Sequence, residues 1–183
     1  MTSARIPACF FRGGSSKGVF FTETDLPAAH AEWDPLFLSV IGSPDPYGRQ
    51  LNGMGGGVSS VSKAAVVTAS LREEADLDFT FAQVAVGEAL VDYSSNCGNL
   101  SSAVAPFALE RGLIQLEDGT RSVRVFNTNT NKVLIAHLEV AAGRAIETGS
   151  FSIPGVAGTG APIRLEFLDP AGASTGRLFP TGN

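Results

Sequence analysis

The chain has few of the residues that build several common kinds of site. Its 183 residues include two cysteines, Cys9 and Cys97, and two histidines, His30 and His137. Two thiols in a chain of this size do not form a disulfide framework. Two histidines far apart in sequence do not form a metal-ligand cluster, so no metal is expected. Charged residues make up only 17%, the formal net charge is -5, and no basic run is present. That composition lacks the electrostatic footprint of a nucleic-acid binder or of a protein that sits on anionic membrane. No apolar run is long enough to span a bilayer. The N-terminal "MTSARIPACFF" lacks a basic region, an apolar stretch and a small-residue cleavage site in succession, so a cytoplasmic protein is expected.

What is present is apolar and rich in glycine. Hydrophobic residues make up 44%, with 12 phenylalanines and 21 glycines. This is the composition of a folded domain, and the length suits one domain with a substantial core. No internal repeat is evident, and no linker divides the chain before "PAGAST".

Most segments read as strands. "RIPACFF" and "GVFF" flank a loop, "RGGSSK", and "KAAVVTAS" is apolar on both faces, as a buried strand is. "LDFTFAQVAV" follows a charged turn, and "VRVFNTNTNKVLIAHLEV" reads as two strands joined through turn formers. "APIRLEF" is a further strand, closed by the turn "DPAG", and the Gly- and Pro-punctuated "GSFSIPGVAGTGAP" before it is a loop. Two helices are predicted. In "DPLFLSVIG", Asp34 caps, Pro35 takes the first position and Gly42 ends the helix, with Trp33 and Phe37 in the core. In "CGNLSSAVAPFALERG", Leu100, Ala103, Val104, Phe107 and Ala108 form one apolar stripe. Gly112 stops that helix, and Pro106 predicts a kink or a break into two.

Two stretches carry candidate chemistry. Cys97 stands at the start of the longer helix, where unpaired N–H groups and the helix dipole favour negative charge and can lower a thiol's pKa. The N–H groups of Gly98 and Asn99 can bind a carboxylate there. The competing role is that of a buried structural cysteine, but the flanks "NCGN", with Asn96 and Asn99, are poor choices for burying an inert thiol. Cys9, mid-strand in "PACFF", reads as core. Lys63 opens an apolar strand directly after "GMGGGVSSVS". Desolvation can make such a lysine a base near neutral pH; the competing role is a lysine snorkelling at a sheet margin. Four glycines in so short a run are costly in backbone entropy, and a loop of this kind can offer backbone donors to an anion. Neither loop fits a phosphate motif. "RGGSSKG" lacks a Ser or Thr after its lysine, and "GMGGGV" has Val58 where a third glycine belongs. Both read as anion-binding turns for a small polycarboxylate, or as turns without a ligand. The residues assigned to the polycarboxylate are Ser15, Ser16, Asn52, Met54, Gly55, Gly56, Gly57, Ser60, Asn96, Gly98 and Asn99.

"FRGGSSKGVFF", "GSPDPYGRQLNGMGGGVSSVSKAAVV", "FAQVAV", "NCGNLSSAVAPFALERGL" and "DPAGASTGRLFPTG" together resemble the signature blocks of the PrpF family, in the family's order and over essentially the whole chain. The resemblance implies an α+β, diaminopimelate epimerase-like lobe: a curved mixed β-sheet, or half-barrel, wrapped around a central helix. It implies a cofactor-independent isomerase or tautomerase that moves an allylic proton in an unsaturated polycarboxylate of the aconitate, itaconate or oxalomesaconate type. It makes Lys63 and Cys97 the acid–base pair. Ser15 stands where the family usually has threonine, and Asn52 where it usually has aspartate. The second departure removes a charge beside the site. Family members continue into a second lobe that holds the other wall of the site. Residues 1–183 are therefore expected to be a first, N-terminal lobe, with a second lobe or self-association completing the site. Alone, such a lobe is expected to leave Lys63 and Cys97 open to water, with the lysine protonated and weak as a base. Two other readings are a non-catalytic half that assists an aconitase-like partner, and a two-cysteine amino-acid epimerase, which needs a second cysteine facing Cys97.

Overall fold

Apolar residues, alternating or in unbroken runs, lay out nine strands in one mixed sheet among the described residues. The computed structural model describes residues 5–169, 171, 177, 179, 181 and 182. The strands are β1 (Cys9–Gly13), β2 (Ser16–Thr22), β3 (Lys63–Ala69), β4 (Leu77–Val84), β5 (Val91–Asp92), β6 (Gly119–Asn127), β7 (Lys132–Ala141), β8 (Arg144–Ala145) and β9 (Arg164–Phe167). Their order is β1-β2-β3-β4-β6-β7-β8, with β5 on β4 and β9 on β7. The β2–β3 and β4–β6 pairs are parallel and the rest antiparallel.

The two-residue period of a strand sorts the side chains onto two faces. Phe20, Ala65, Val67, Phe79, Phe81, Val125 and Leu134 belong to one core; Val19, Phe21, Ala64, Val66, Ala82 and Val84 belong to the other. Strand β3 is thus buried on both sides, as its unbroken apolar run predicts. The second core is covered by helix α1 (Trp33–Ile41), which inserts Trp33, Phe37 and Ile41. The first closes around two short helices, α2 (Gly98–Ser101) and α3 (Val104–Glu110), whose Leu100, Val104, Phe107 and Ala108 are fully buried. Phe107 packs its ring against Phe20 and Phe11, with centroids 5.3 and 5.9 Å away. This is the expected α+β lobe, a curved mixed sheet around a central helical segment.

The local expectations fare unevenly. Gly42 and Gly112 do end their helices, at φ +84° and +68°. Asp34 does not cap α1: the helix starts one residue earlier, at Trp33, and the Asp34 carboxylate accepts a 2.7 Å bond from the Tyr93 hydroxyl. The central helix is broken in two, but the break lies at Ser102 and Ala103, upstream of Pro106. Pro106 sits in the first turn of α3, where a missing N–H leaves no helical bond unmade. "RGGSSK" is a tight hairpin rather than an open loop. Gly13 pairs with Ser16, and Gly14 (φ +53°) and Ser15 form the turn, with glycine at the first central position as a II′ turn requires. The stretch before β9 is a loop with one bridge, Phe151 to Gly160. The predicted "DPAG" turn and the expected lobe boundary fall largely outside the described residues. No described helix is long and apolar enough to cross a membrane.

Candidate active site

The parallel register Val19–Ala64 sets Gly18 of β2 beside Lys63 at the start of β3. A Cβ on Gly18 would come within 3.2 Å of both Lys63 Cβ and Leu100 Cδ2, so the glycine makes room for the lysine stem under α2. Lys63 is only 6% exposed. Its Nζ donates a 2.5 Å bond to Gln83 Oε1 and lies 4.9 Å from the Phe81 ring centroid, a favourable face for a cation. Burial pushes the amine's pKa below its ordinary value, and the neighbouring charge of Cys97 pulls it partly back. The expectation that a lone lobe leaves Lys63 open to water is therefore wrong. The chain's own residues, Phe81 and Gln83 among them, already take it out of solvent.

Cys97 is the N-cap of α2. Its Sγ accepts the Leu100 N–H at 3.5 Å and lies 3.7 Å from Ser16 Oγ. Ser16 is itself buried, at the first position of β2 on the face that carries Gly18 and Phe20. The cap is held from behind: Asn96 Oδ1 accepts bonds from Ser101 Oγ and Asn127 Nδ2, both at 3.2 Å. The N–H groups of Gly98 and Asn99 have no acceptor among the described residues. The helix they open is one turn long, so the dipole expected of a long helix is reduced to the local amides.

The glycines of the first hairpin serve this helix start. A Cβ on Gly13 would lie 2.4 Å from Asn99 O, and one on Gly14 2.5 Å from Asn99 Oδ1. The turn thus lies directly on α2, and Asn99 Nδ2 bonds Ser15 Oγ at 3.0 Å. Ser15, Ser16, Lys63, Asn96, Cys97, Gly98 and Asn99 are assembled into one site at one end of the sheet.

The glycine-rich loop behaves differently. The N–H groups of Met54 and Gly55 donate to Val40 O and Ile41 O, and that of Gly57 to Gln50 Oε1. These three amides are spent inside the fold and are not donors to an anion, which corrects the anion-binding expectation for them. The glycines answer to packing instead. A Cβ on Gly53 would meet Gly42 N at 2.3 Å, one on Gly55 would meet Gln50 Oε1 at 2.2 Å, one on Gly56 would meet Val61 Cγ2 at 2.5 Å, and Gly57 has φ +74°. Asn52, Met54 and Gly56 are exposed on this loop, and Ser60 is half-buried in the short 3-10 turn before Lys63. Gly53→Ala is expected to destabilise the fold by about 1–3 kcal/mol through this overlap. Gly87→Ala, where nothing lies within 4 Å, serves as the neutral control. Equal urea midpoints for the two variants would contradict the packing role.

Two polar residues, Gln83 and Gln50, were missed in the sequence. Gln83 holds the Lys63 amine. Gln50, 1% exposed, accepts from Ser62 Oγ at 2.6 Å and donates to Ser43 Oγ at 2.8 Å, and its own N–H is held by Asp45. The Asp45 carboxyl is kept below its usual pKa by backbone N–H bonds from Tyr47, Arg49 and Gln50. The signal for Gln83 was present: it is the lone amide of "FAQVAV", in a strand whose neighbours are apolar. Gln50 carried none, because its partners are far along the chain.

A cavity of about 600 Å3 runs beside the site, between β1 and the stretch before β9, with Gly14, Gly98 and Asn99 among its lining. Lys63 and Cys97 do not line it. Among the described residues no cluster of His, Cys, Asp or Glu could hold a metal.

Comparison with known proteins shows the family and the fold. Residues 3–183 match the family model described as PrpF protein. The chain is 47% identical over 183 residues to the 4-oxalomesaconate tautomerase of Pseudomonas putida, covering 100% of this chain and 50% of the relative. It is 45% identical over 190 residues to the 2-methyl-aconitate isomerase of Cupriavidus necator, covering 98% and 48%. A crystal structure of methylitaconate-delta-isomerase superposes with a TM-score of 0.89 at 44% identity, covering 97% of this chain and 46% of that one. The chain spans about half the length of the relatives it matches.

Proposed function

The chain belongs to the PrpF protein family, and from that premise we propose that it is the first lobe of a cofactor-independent isomerase of small unsaturated polycarboxylates. The substrate is of the aconitate, itaconate or oxalomesaconate type, and the reaction moves an allylic proton and with it the double bond. The carrying observation is the pairing of a desolvated lysine with a capping cysteine on one face of the sheet. One of Lys63 and Cys97 removes the proton. The C–H electron pair shifts the double bond, charge builds on a neighbouring carboxylate or carbonyl as an enolate-like species, and a proton returns two carbons away. The unpaired N–H groups of Gly98 and Asn99, with the hydroxyls of Ser15 and Ser16, are the donors placed to hold that charge. Desolvation brings the lysine towards neutral pH, where an acid–base group works best.

The epimerase alternative needs a second thiol opposite Cys97. Cys9 does not supply it: it pairs with Phe20 at the far end of β1, about 13 Å of strand from the Gly13 end at 3.3 Å per residue. The accessory reading is separated from the catalytic one by solvent-deuterium exchange at the allylic carbon of an aconitate-type substrate. Exchange is expected above the uncatalysed rate, weak with this chain alone and strong when a second lobe closes the site against water. No exchange in either form would leave a binding role only.

A further inference from the structure

We propose that Gln83 is a positioning residue for Lys63, a carboxamide clamped so that only its oxygen faces the amine. The proposal rests on the reading of Lys63 as an acid–base group, but its geometry stands separately. Gln83 lies directly across the antiparallel β3–β4 pair from Lys63. Its Nε2 donates to backbone carbonyls, Ser59 O at 3.1 Å and Ser62 O at 2.9 Å, with Val84 O at the longer distance of 3.5 Å. Carbonyls only accept. A flipped amide would set its oxygen against them and turn two N–H groups towards an ammonium. The oxygen is therefore committed to Lys63, at 2.5 Å.

The consequence for the amine is directional. One N–H is taken by Gln83, and Phe81 occupies another side. In the neutral amine the second N–H and the lone pair share the directions that remain. The clamp is tied to the glycine-rich loop, since Ser62 O also accepts the Val84 N–H and Ser62 Oγ bonds Gln50. β2 presents Gly18 to the base of the Lys63 stem, β4 presents Phe81 and Gln83 to Nζ, and Cys97 at the start of α2 is the titratable neighbour. An acceptor this close favours the ammonium over the amine.

The test is the pH dependence of Lys63 acetylation by acetic anhydride, followed by peptide mass spectrometry on the chain as it stands. Gln83→Met removes the acceptor and should move the labelling midpoint to lower pH. Gln83→Glu supplies a carboxylate and should move it to higher pH, each by roughly one unit or more. Ser62→Ala loosens the loop from the Gln50 side but keeps Ser62 O, and should leave the midpoint in place. Opposite shifts in the two Gln83 variants support the proposal, because a merely loosened fold would move both alike. Equal midpoints, or shifts of the same sign, overturn it. Gln83→Asn, which keeps the amide but withdraws it, should follow Gln83→Met and takes its place if that variant fails to fold. If opposite shifts appear while Lys63→Ala retains full isomerase activity, the positioning role stands and the acid–base reading of Lys63 falls.

Discussion

Lys63→Ala, made in an enzyme that includes the second lobe, is expected to lower kcat by about 10²–10⁴-fold, the contribution typical of a positioned acid–base group. Cys97→Ala should fall in the same range, and the double variant should lose little more than either single one, because the two act on one proton transfer. Near-normal turnover in either single variant, measured by isomerisation of an oxalomesaconate-type substrate, would remove that residue from the chemistry. The lysine variant carries a second, independent signature. The Lys63 pKa is pushed down by burial, so the unfolded chain holds its proton more tightly than the native one. Native stability contributed by this group is therefore present above the unfolded value near 10.4, and is lost as pH falls through the lower folded value. Lys63→Met, which keeps the stem and removes the charge, should lose that slope. Relative to the wild type it should gain most at neutral pH, and the gain should fade as pH approaches the unfolded value. Urea unfolding across that range reads the difference, and parallel curves at every pH would contradict a desolvated ammonium.

Phe107→Ala is expected to cost about 3–5 kcal/mol, the range for deleting a fully buried aromatic ring. The ring is 1% exposed and sits between Phe11 and Phe20 on α3, under the main core. For a chain of this size that loss lowers Tm by roughly 6–20 °C. The effect should be global, since Phe107 joins the helical segment to β1 and β2, which also carry Ser16 and Gly18 beside the site. A loss of a few tenths, like that of a surface residue, would place the helix outside the core. The same variant should weaken catalysis only as far as it unfolds the protein; an activity loss in the still-folded fraction would mean that the ring also positions α2.

Much of the fold was legible because apolar periodicity is a local property. The run at Lys63–Ala69 is apolar on both faces, and the sheet buries it on both. The stripe Leu100, Ala103, Val104, Phe107 and Ala108 is the inward face of α2 and α3. Gly42 and Gly112 announced helix ends because few other residues adopt positive φ cheaply. Less legible were the choices between two acceptable local partners. Asp34 has the side chain of a cap, but Tyr93, distant in sequence, offers its carboxylate a better-placed donor. Pro106 marked a disturbance in the helix without saying on which side the break would fall.

The sequence by itself determined the elements, the two apolar faces of the sheet and the residue types able to do proton chemistry, Lys63 after a glycine run and Cys97 at a helix start. Only the tertiary structure decided what those glycines are for. Gly13 and Gly14 let a hairpin lie on Asn99, Gly18 makes room for the Lys63 stem, and Gly53 and Gly55 let a loop close against the end of α1. Each is a contact between backbones far apart in the chain, and a missing Cβ reads the same in sequence whether it admits a ligand or another strand. Gln83 stood out in sequence as the lone amide of its strand, but its role did not. An amide in a strand has no readable role until the register sets it opposite Lys63 and two carbonyls fix which of its ends faces the amine.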